Sequence, residues 1–317
     1  MALQQGRDVP VSFKPQSALG TEESSGAGAT KFLYKDGSQG FSPPQAALIE
    51  STVNLGDGMT ARGRRGSYNV PGQMLWEGNC RAHDLIYPTF WRSSYTAAVT
   101  VDQDDLSSST VNLSVSSNVI TFTAGDVTAS VAPGDSVNFS AGLNSADNDK
   151  WLPVIGVTAT TITVGTDITD VAGPVGTWSF TRPKKLLQGT TTNILTVEEY
   201  MTQIDRSLVL HDVKGSQINF ALSENQTLDI TGDFLAAGYD YKATGSSPHF
   251  TDPTEPTGDS LAFLDAGFII NGSEYLTVTG FNIGLDVAAQ TLAVANRTGR
   301  SPDVFQGNGK PSGQWSM

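Results

Sequence analysis

Between Ile194 and Leu235 the apolar period of the chain switches from helical to extended, and that switch limits the folds open to it. Thr196 suits a helix N-cap, and Glu199 follows three residues on, the spacing of a capping box. Tyr200, Ile204 and Leu208 then recur at helical spacing, one apolar stripe on a short helix. After Asp212 the period becomes two. Ile218, Phe220 and Leu222 share one face of a strand. Ser223 to Gln226 reads as a turn, and Leu228, Ile230 and Phe234 resume the pattern. The stretch predicts one helix followed by two paired strands.

Elsewhere, Val/Ile/Thr/Phe runs alternate with Gly, Pro and Asn clusters, the pattern of an all-β chain. The fold is therefore expected to be mainly β, with one helix docked on a large sheet. Lys14 to Pro44 is polar and long for a loop, which suggests an arm that orders on a partner subunit. From Val111 to Phe180 the strands turn Thr/Val/Ser-rich, so residues 96–185 read as a separate small β module. The outer segments, 1–95 and 186–317, then form one domain interrupted by the module. A faint internal echo connects them: Gly66 and Gly72-Gln73 are spaced as Gly307 and Gly313-Gln314. On that reading the second copy stops at Met317: either the chain ends before its last strand, or a neighbouring subunit supplies it.

The 317 residues carry a net charge of −13. Residues 1–95 hold 9 basic and 8 acidic side chains, 96–185 hold 4 and 9, and 186–317 hold 6 and 15. Acid concentrated in the last two thirds argues against tight nucleic-acid binding, which needs Lys and Arg to displace counterions. It leaves open a surface that DNA passes without sticking. Cys80 is the only cysteine, so no intramolecular disulfide can form. The N-terminus has no apolar signal-peptide core, and no run reaches membrane-spanning length.

Chemistry-bearing constellations are weak. Cys80 and His83 are close in sequence, but no Gly-rich catalytic turn surrounds the thiol. His211 and His249 are isolated, and no zinc spacing occurs. Asp102, Asp104 and Asp105, and Asp147 with Asp149, lack the glycine and distal glutamate of a calcium loop. No phosphate-binding or dinucleotide motif is present. Arg62, Arg64 and Arg65 form one basic cluster, suited to acidic groups of a neighbouring subunit. No catalytic residue, cofactor or metal is expected.

Three stretches, in order, resemble the major tail tube proteins of long-tailed (siphovirus-type) bacteriophages. Val11 to Thr21 looks like the family's opening strand with its Gly-Thr turn. Leu195 to Asp205, followed by Gly215 to Ser223, looks like its helix and following strand. Pro302 to Gly307, followed by Ser312-Gly313, looks like its C-terminal strand turn. Pro133 to Val137 with Val157 to Val164 is similar to a small β module often inserted in these proteins. Lys214-Gly215-Ser216 stands where the family often has Gly-Cys.

The resemblance implies a tail-tube β-sandwich with one flanking helix; the inserted module is expected on the outside of the tube, because a bulky insertion would block a DNA channel. It implies a structural virion protein, not an enzyme, located in the tail and assembled in the host cytoplasm. Its partners would be further copies of itself in stacked hexameric rings, and the tape measure, tail terminator and distal tail proteins. Genome DNA would pass through the lumen without specific binding, and no membrane would be involved. Glu224, Asp229 and Asp233, in the hairpin after the expected helix, are the candidate lumen-lining acids. Two other classes remain: another virion part (a capsid decoration or minor tail protein), and a carbohydrate-binding or adhesive β-sandwich. The last requires an exposed aromatic platform among Trp76, Trp91, Trp151, Trp178 and Trp315.

Overall fold

A computed structural model describes residues 9–42, 48–49, 64–65, 68–79, 82–107, 110–265, 267, 269–270, 273–274, 278–291 and 303–316. The chain is mainly β. In order it forms β1 (Val11–Pro15), β2 (Thr30–Phe32), β3 (Gly40–Phe41), β4 (Leu48–Ile49), β5 (Arg64–Arg65), β6 (Val70–Glu77) and a short helix, α1 (Tyr87–Trp91). Next come β7 (Val99–Asp102), β8 (Leu113–Ser116), β9 (Val119–Phe122), β10 (Ser136–Ala141), β11 (Trp151–Thr158), β12 (Thr161–Val164), β13 (Val171–Val175) and β14 (Ser179–Arg182). The chain returns through β15 (Leu195–Met201), β16 (Arg206–Ser223), β17 (Asp229–Ala236) and β18 (Gly238–Lys242). It ends with β19 (Ile269–Ile270), β20 (Ser273–Glu274), β21 (Gly280–Asp286), β22 (Gln290–Thr291), β23 (Val304–Phe305) and β24 (Lys310–Ser316).

Two compact units result. One comprises Met1–Ser93, Gln188–Asp265 and Thr279–Met317; the other comprises Ser94–Leu187 and Ala266–Val278.

The first unit is organised by β16, 18 residues long. Its first half pairs with β15 on one side and β18 on the other. Its second half pairs with β17 and β21. The strand changes partners where both ladders slip: β15 slips between Leu195 and Val197, and β16 against β17 between Gly215 and Gln217. Asp212 takes a left-handed φ of 56° at this corner. Such irregularities let one strand belong to two packed layers. One layer is β2-β1-β15-β16-β18, and the other is β3-β6-β17-β16-β21-β24.

Between the layers lies one aromatic chain. Phe13 meets Phe32 edge-on at 6.2 Å, Phe32 meets Trp76 at 5.4 Å, and Phe90 meets Phe234 at 5.2 Å. Edge-to-face rings add packing energy beyond their burial. Val197, Leu210, Val213, Ile218 and Ile230 complete this core. Gly215 sits directly under Phe90: a Cβ there would meet the ring at 2.3 Å. Only glycine lets α1 seat so close to β16.

The helix expected over residues 196–208 does not form. Those residues make the β15–β16 hairpin, turning through Thr202–Asp205. The reason is partner competition. β1 pairs β15 from one side, Phe13 opposite Val197, and β16 pairs it from the other, Leu210 opposite Val197. Thr196 and Glu199 spend their side chains on tertiary partners rather than on a helix end. The Thr196 hydroxyl accepts the Glu23 N–H at 2.8 Å and donates to Gln16 Oε1 at 3.1 Å. Glu199 Oε1 accepts the Phe41 N–H at 2.8 Å. Because β15 is buried from Leu195 through Glu199, on both faces, it shows no polar alternation that would mark a strand. The one α-helix among the described residues is α1. Pro88 lies in its first turn, and Arg92 caps it in the left-handed region, its N–H bonded to Pro88 O.

The segment 14–44, expected as an arm that orders on a partner subunit, makes hydrogen bonds within its own chain over its described part, to residue 42. Asp212 Oδ1 accepts the Gly20 N–H and the Gln16 side-chain amide, at 2.8 and 2.6 Å. Gly26 donates its N–H to His249 O and accepts the Thr251 N–H, and His249 Nε2 lies 2.9 Å from Glu23 O. Polar loop residues here pair with groups of the same chain.

The second unit carries an eight-stranded antiparallel sheet, β13-β8-β9-β12-β11-β10-β14-β7. Its core is separate, with Trp178 stacked on Phe180 at 6.1 Å and Phe122 and Phe139 alongside. Arg182 is buried here, its guanidinium donating to Ser130 O, Ala97 O and Pro183 O.

Asp212→Ala removes the acceptor that holds Gln16, Gly20 and His211 around the corner. It is expected to lower unfolding free energy by about 2–4 kcal/mol, whereas Asp212→Asn, which tolerates the left-handed backbone, loses less. Denaturant unfolding of the two variants checks the order.

Candidate assembly face and edge

The β6–β17–β16–β21–β24 sheet presents its outer face in registered rows. Pairing places Glu77, Asp229, Ala221, Asn282 and Gln314 side by side. The next row reads Leu75, Thr231, Asn219, Gly284 and Ser312. A third reads Gln73, Asp233, Gln217, Asp286 and Lys310. The alternate residues, such as Trp76, Phe234 and Ile218, point to the core. The outer face is thus mostly small, amide, hydroxyl and carboxylate side chains, with Leu75 and Lys310 among them. Beside Asp233, a depression of about 430 Å³ is lined by Gln39, Asn69, Gln73 and Ser216.

Of the three acids singled out in sequence, Glu224 is exposed in the β16–β17 turn. Asp229 and Asp233 lie on the outer face of β17, with Thr231 between them. Lys35 approaches Asp229 at 2.6 Å and Glu77 at 3.5 Å, so the charge of Asp229 is locally balanced. Asp233 accepts the Gln73 amide at 2.8 Å. Sequence reasoning missed Lys35, which lies 194 residues from Asp229.

The edge of this sheet is β24. It pairs with β21 from Gly280↔Ser316 to Asp286↔Lys310 and has no strand on its other side among the described residues. All seven of its residues are exposed. On the reverse side Ile283 and Trp315 are 49% and 55% exposed, apolar groups at an uncovered edge. An edge strand this long, without a charge in its centre, is a template for further strand pairing. The Gly-Gln echo places Gly72-Gln73 on β6 and Gly313-Gln314 on β24, strands on opposite flanks of the same sheet. Gly66, Arg62 and Cys80 lie outside the described residues, as do Phe268 and Tyr275 to Thr277. Arg64 and Arg65 form β5, paired with β4.

No cluster of metal-ligating side chains occurs among the described residues. The aspartates considered as calcium ligands stabilise turns. Asp102 Oδ1 accepts the Asp104 N–H, and Asp147 accepts the Thr169 N–H and pairs with Lys150. No helix of the described residues is long and apolar enough to cross a membrane.

Three buried titratable groups lie behind the face. Burial of Asp212 works against its ionisation, but hydrogen bonds from His211, Gly20 and Gln16 hold its carboxyl down at about 2. His83, packed between Phe32 and Trp76, is desolvated and held down at about 4. Glu199 borders a cavity of about 240 Å³ lined by Val9, Val11, Tyr34, Ser38 and Met74. Burial pushes its carboxyl up to about 7, with the Phe41 N–H opposing.

The signs follow from these directions. A depressed histidine favours the fold above its unfolded value of 6.5, and that contribution falls as pH drops toward about 4. A raised glutamate favours the fold below 4.5, and that contribution is lost as pH rises through about 7. Glu199→Gln keeps an acceptor for Phe41 and removes the titration. Its stability relative to the parent should rise by on the order of 3 kcal/mol between about pH 4 and pH 8. Denaturant unfolding across that range measures it; parallel pH curves would contradict the burial of an ionising group.

No protein-family model matches this chain, and no curated protein matches its sequence.

Proposed function

We propose that this chain is a structural subunit that assembles with copies of itself into closed rings, hexameric and stacked into the tail tube of a long-tailed bacteriophage. The observation that carries the reading is β24: seven exposed residues, paired on one side only, at the edge of a twisted sheet with a polar outer face. Adding a strand of the next copy to that edge extends the sheet. Repeating the step around a ring abolishes the edge, as closure does in any barrel. The apolar reverse side, with Ile283 and Trp315, would be covered at the same joint.

The outer face suits a conduit. Its rows contain small and amide side chains, and its acids are spaced between neutral groups. In a ring with this face inward, net negative charge and the absence of an arginine in the rows would keep DNA from adhering. The overall charge of −13 points the same way. Copies of the chain are the primary partners, with tape measure, terminator and distal tail proteins at the ends.

Negative-stain microscopy and sedimentation of the purified chain test the reading. Rings or tubes are expected for the parent. Gly313→Lys places a charge in the middle of the edge, in open space, and should abolish them without shifting the thermal midpoint by more than about 2 °C. A parent that stays monomeric at high concentration under all conditions overturns the proposal.

A further inference from the structure

Of the five tryptophans, Trp76 and Trp178 are fully buried, while Trp151 is 56% exposed on β11 in the second unit. Pairing aligns Trp151 with Asn138 of β10, Asn138 with Thr181 of β14, and Thr181 with Thr100 of β7. Residues flanking this row, Val137, Leu152, Phe180 and Val101, are buried in the unit's core, so the row itself faces outward. The Thr100 and Thr181 hydroxyls lie 3.2 Å apart. No charged side chain stands in the row. Four strands at their usual spacing span about 14 Å, the length of roughly three linked pyranose rings.

We propose that this face binds a neutral glycan, with one pyranose ring stacked on Trp151 and its neighbours hydrogen-bonded by Asn138, Thr181 and Thr100. An indole presents a flat apolar surface to the C–H face of a sugar. Amide and hydroxyl groups both donate and accept, which matches sugar hydroxyls. The 9 acidic against 4 basic residues over 96–185 disfavour a nucleic acid or an anionic polysaccharide. Trp151 lies on a strand paired on both sides, so no partner strand can add to it as at β24. The inference stands apart from ring assembly, since it concerns the other unit.

The test uses the full chain and three soluble probes, maltoheptaose, cellohexaose and chitohexaose, read by intrinsic fluorescence and calorimetry. At least one should titrate saturably. Trp151→Ala should weaken it by about tenfold or more, while Trp151→Phe stays within a few-fold. Tyr241→Ala removes an exposed aromatic of the first unit, outside that row and outside the β24 edge, and should leave glycan affinity unchanged. Asn138→Ala with Thr181→Ala should weaken binding with Trp151 intact, which a nonspecific aromatic contact would not do. Saturation by none of the three probes overturns the proposal. So does equal binding by Trp151→Ala, or a Trp151→Ala effect confined to loss of self-association in sedimentation.

Discussion

The structure of the first unit depends on one strand turning a corner. β16 is long enough to serve two layers only because it bends at Asp212 and closes up at Gly215. The bend exposes backbone and side-chain groups that no ladder can satisfy, in a place water does not reach. Asp212 resolves this by collecting Gln16, Gly20 and His211 onto one carboxylate. Gln16 in turn accepts from the Asp212 N–H and from Thr196. A buried network of this kind is costly when incomplete, and its completeness here ties β1, the following loop and β15 to the corner.

A second carboxylate performs the same service for the neighbouring loop. Glu198 is buried and accepts the Ser207 hydroxyl and the His249 and Phe250 N–H groups. Together the two acids explain why so polar a stretch lies inside. The helix fails for a related reason: Thr196 and Glu199, which look like caps on paper, are committed to partners far along the chain. Leu195 and Val197 face the other layer with Glu199 on their side, while Thr196 and Glu198 pin the opposite face of the same short strand.

The same sheet then presents two unlike surfaces. Its core side is shut by Trp76, Phe90 and Phe234, which fixes its curvature. Among the described residues its outer side and its β24 edge are left open, with Trp315 exposed at that edge. That asymmetry is what an assembling subunit needs, because a surface already satisfied has nothing to gain from a neighbour. In the other unit the arrangement is reversed at one point, where Trp151 stands outside a core already filled by Trp178 and Phe180.

The sequence by itself determined the mainly β class and the β16–β17 hairpin with its turn near Ser223 to Gln226. These are local matters: a half-buried strand shows its period directly, and a turn shows its residues. Tertiary structure alone decided that residues 195–201 are a strand, that the one described helix is Tyr87–Trp91, and that Lys35 balances Asp229. A strand buried on both faces loses the alternation that marks it, and helix propensity is too weak to resist two flanking strands. A five-residue helix owes its existence to the pocket over Gly215 rather than to its own sequence. A cation nearly two hundred residues away from its partner leaves no local signal at all.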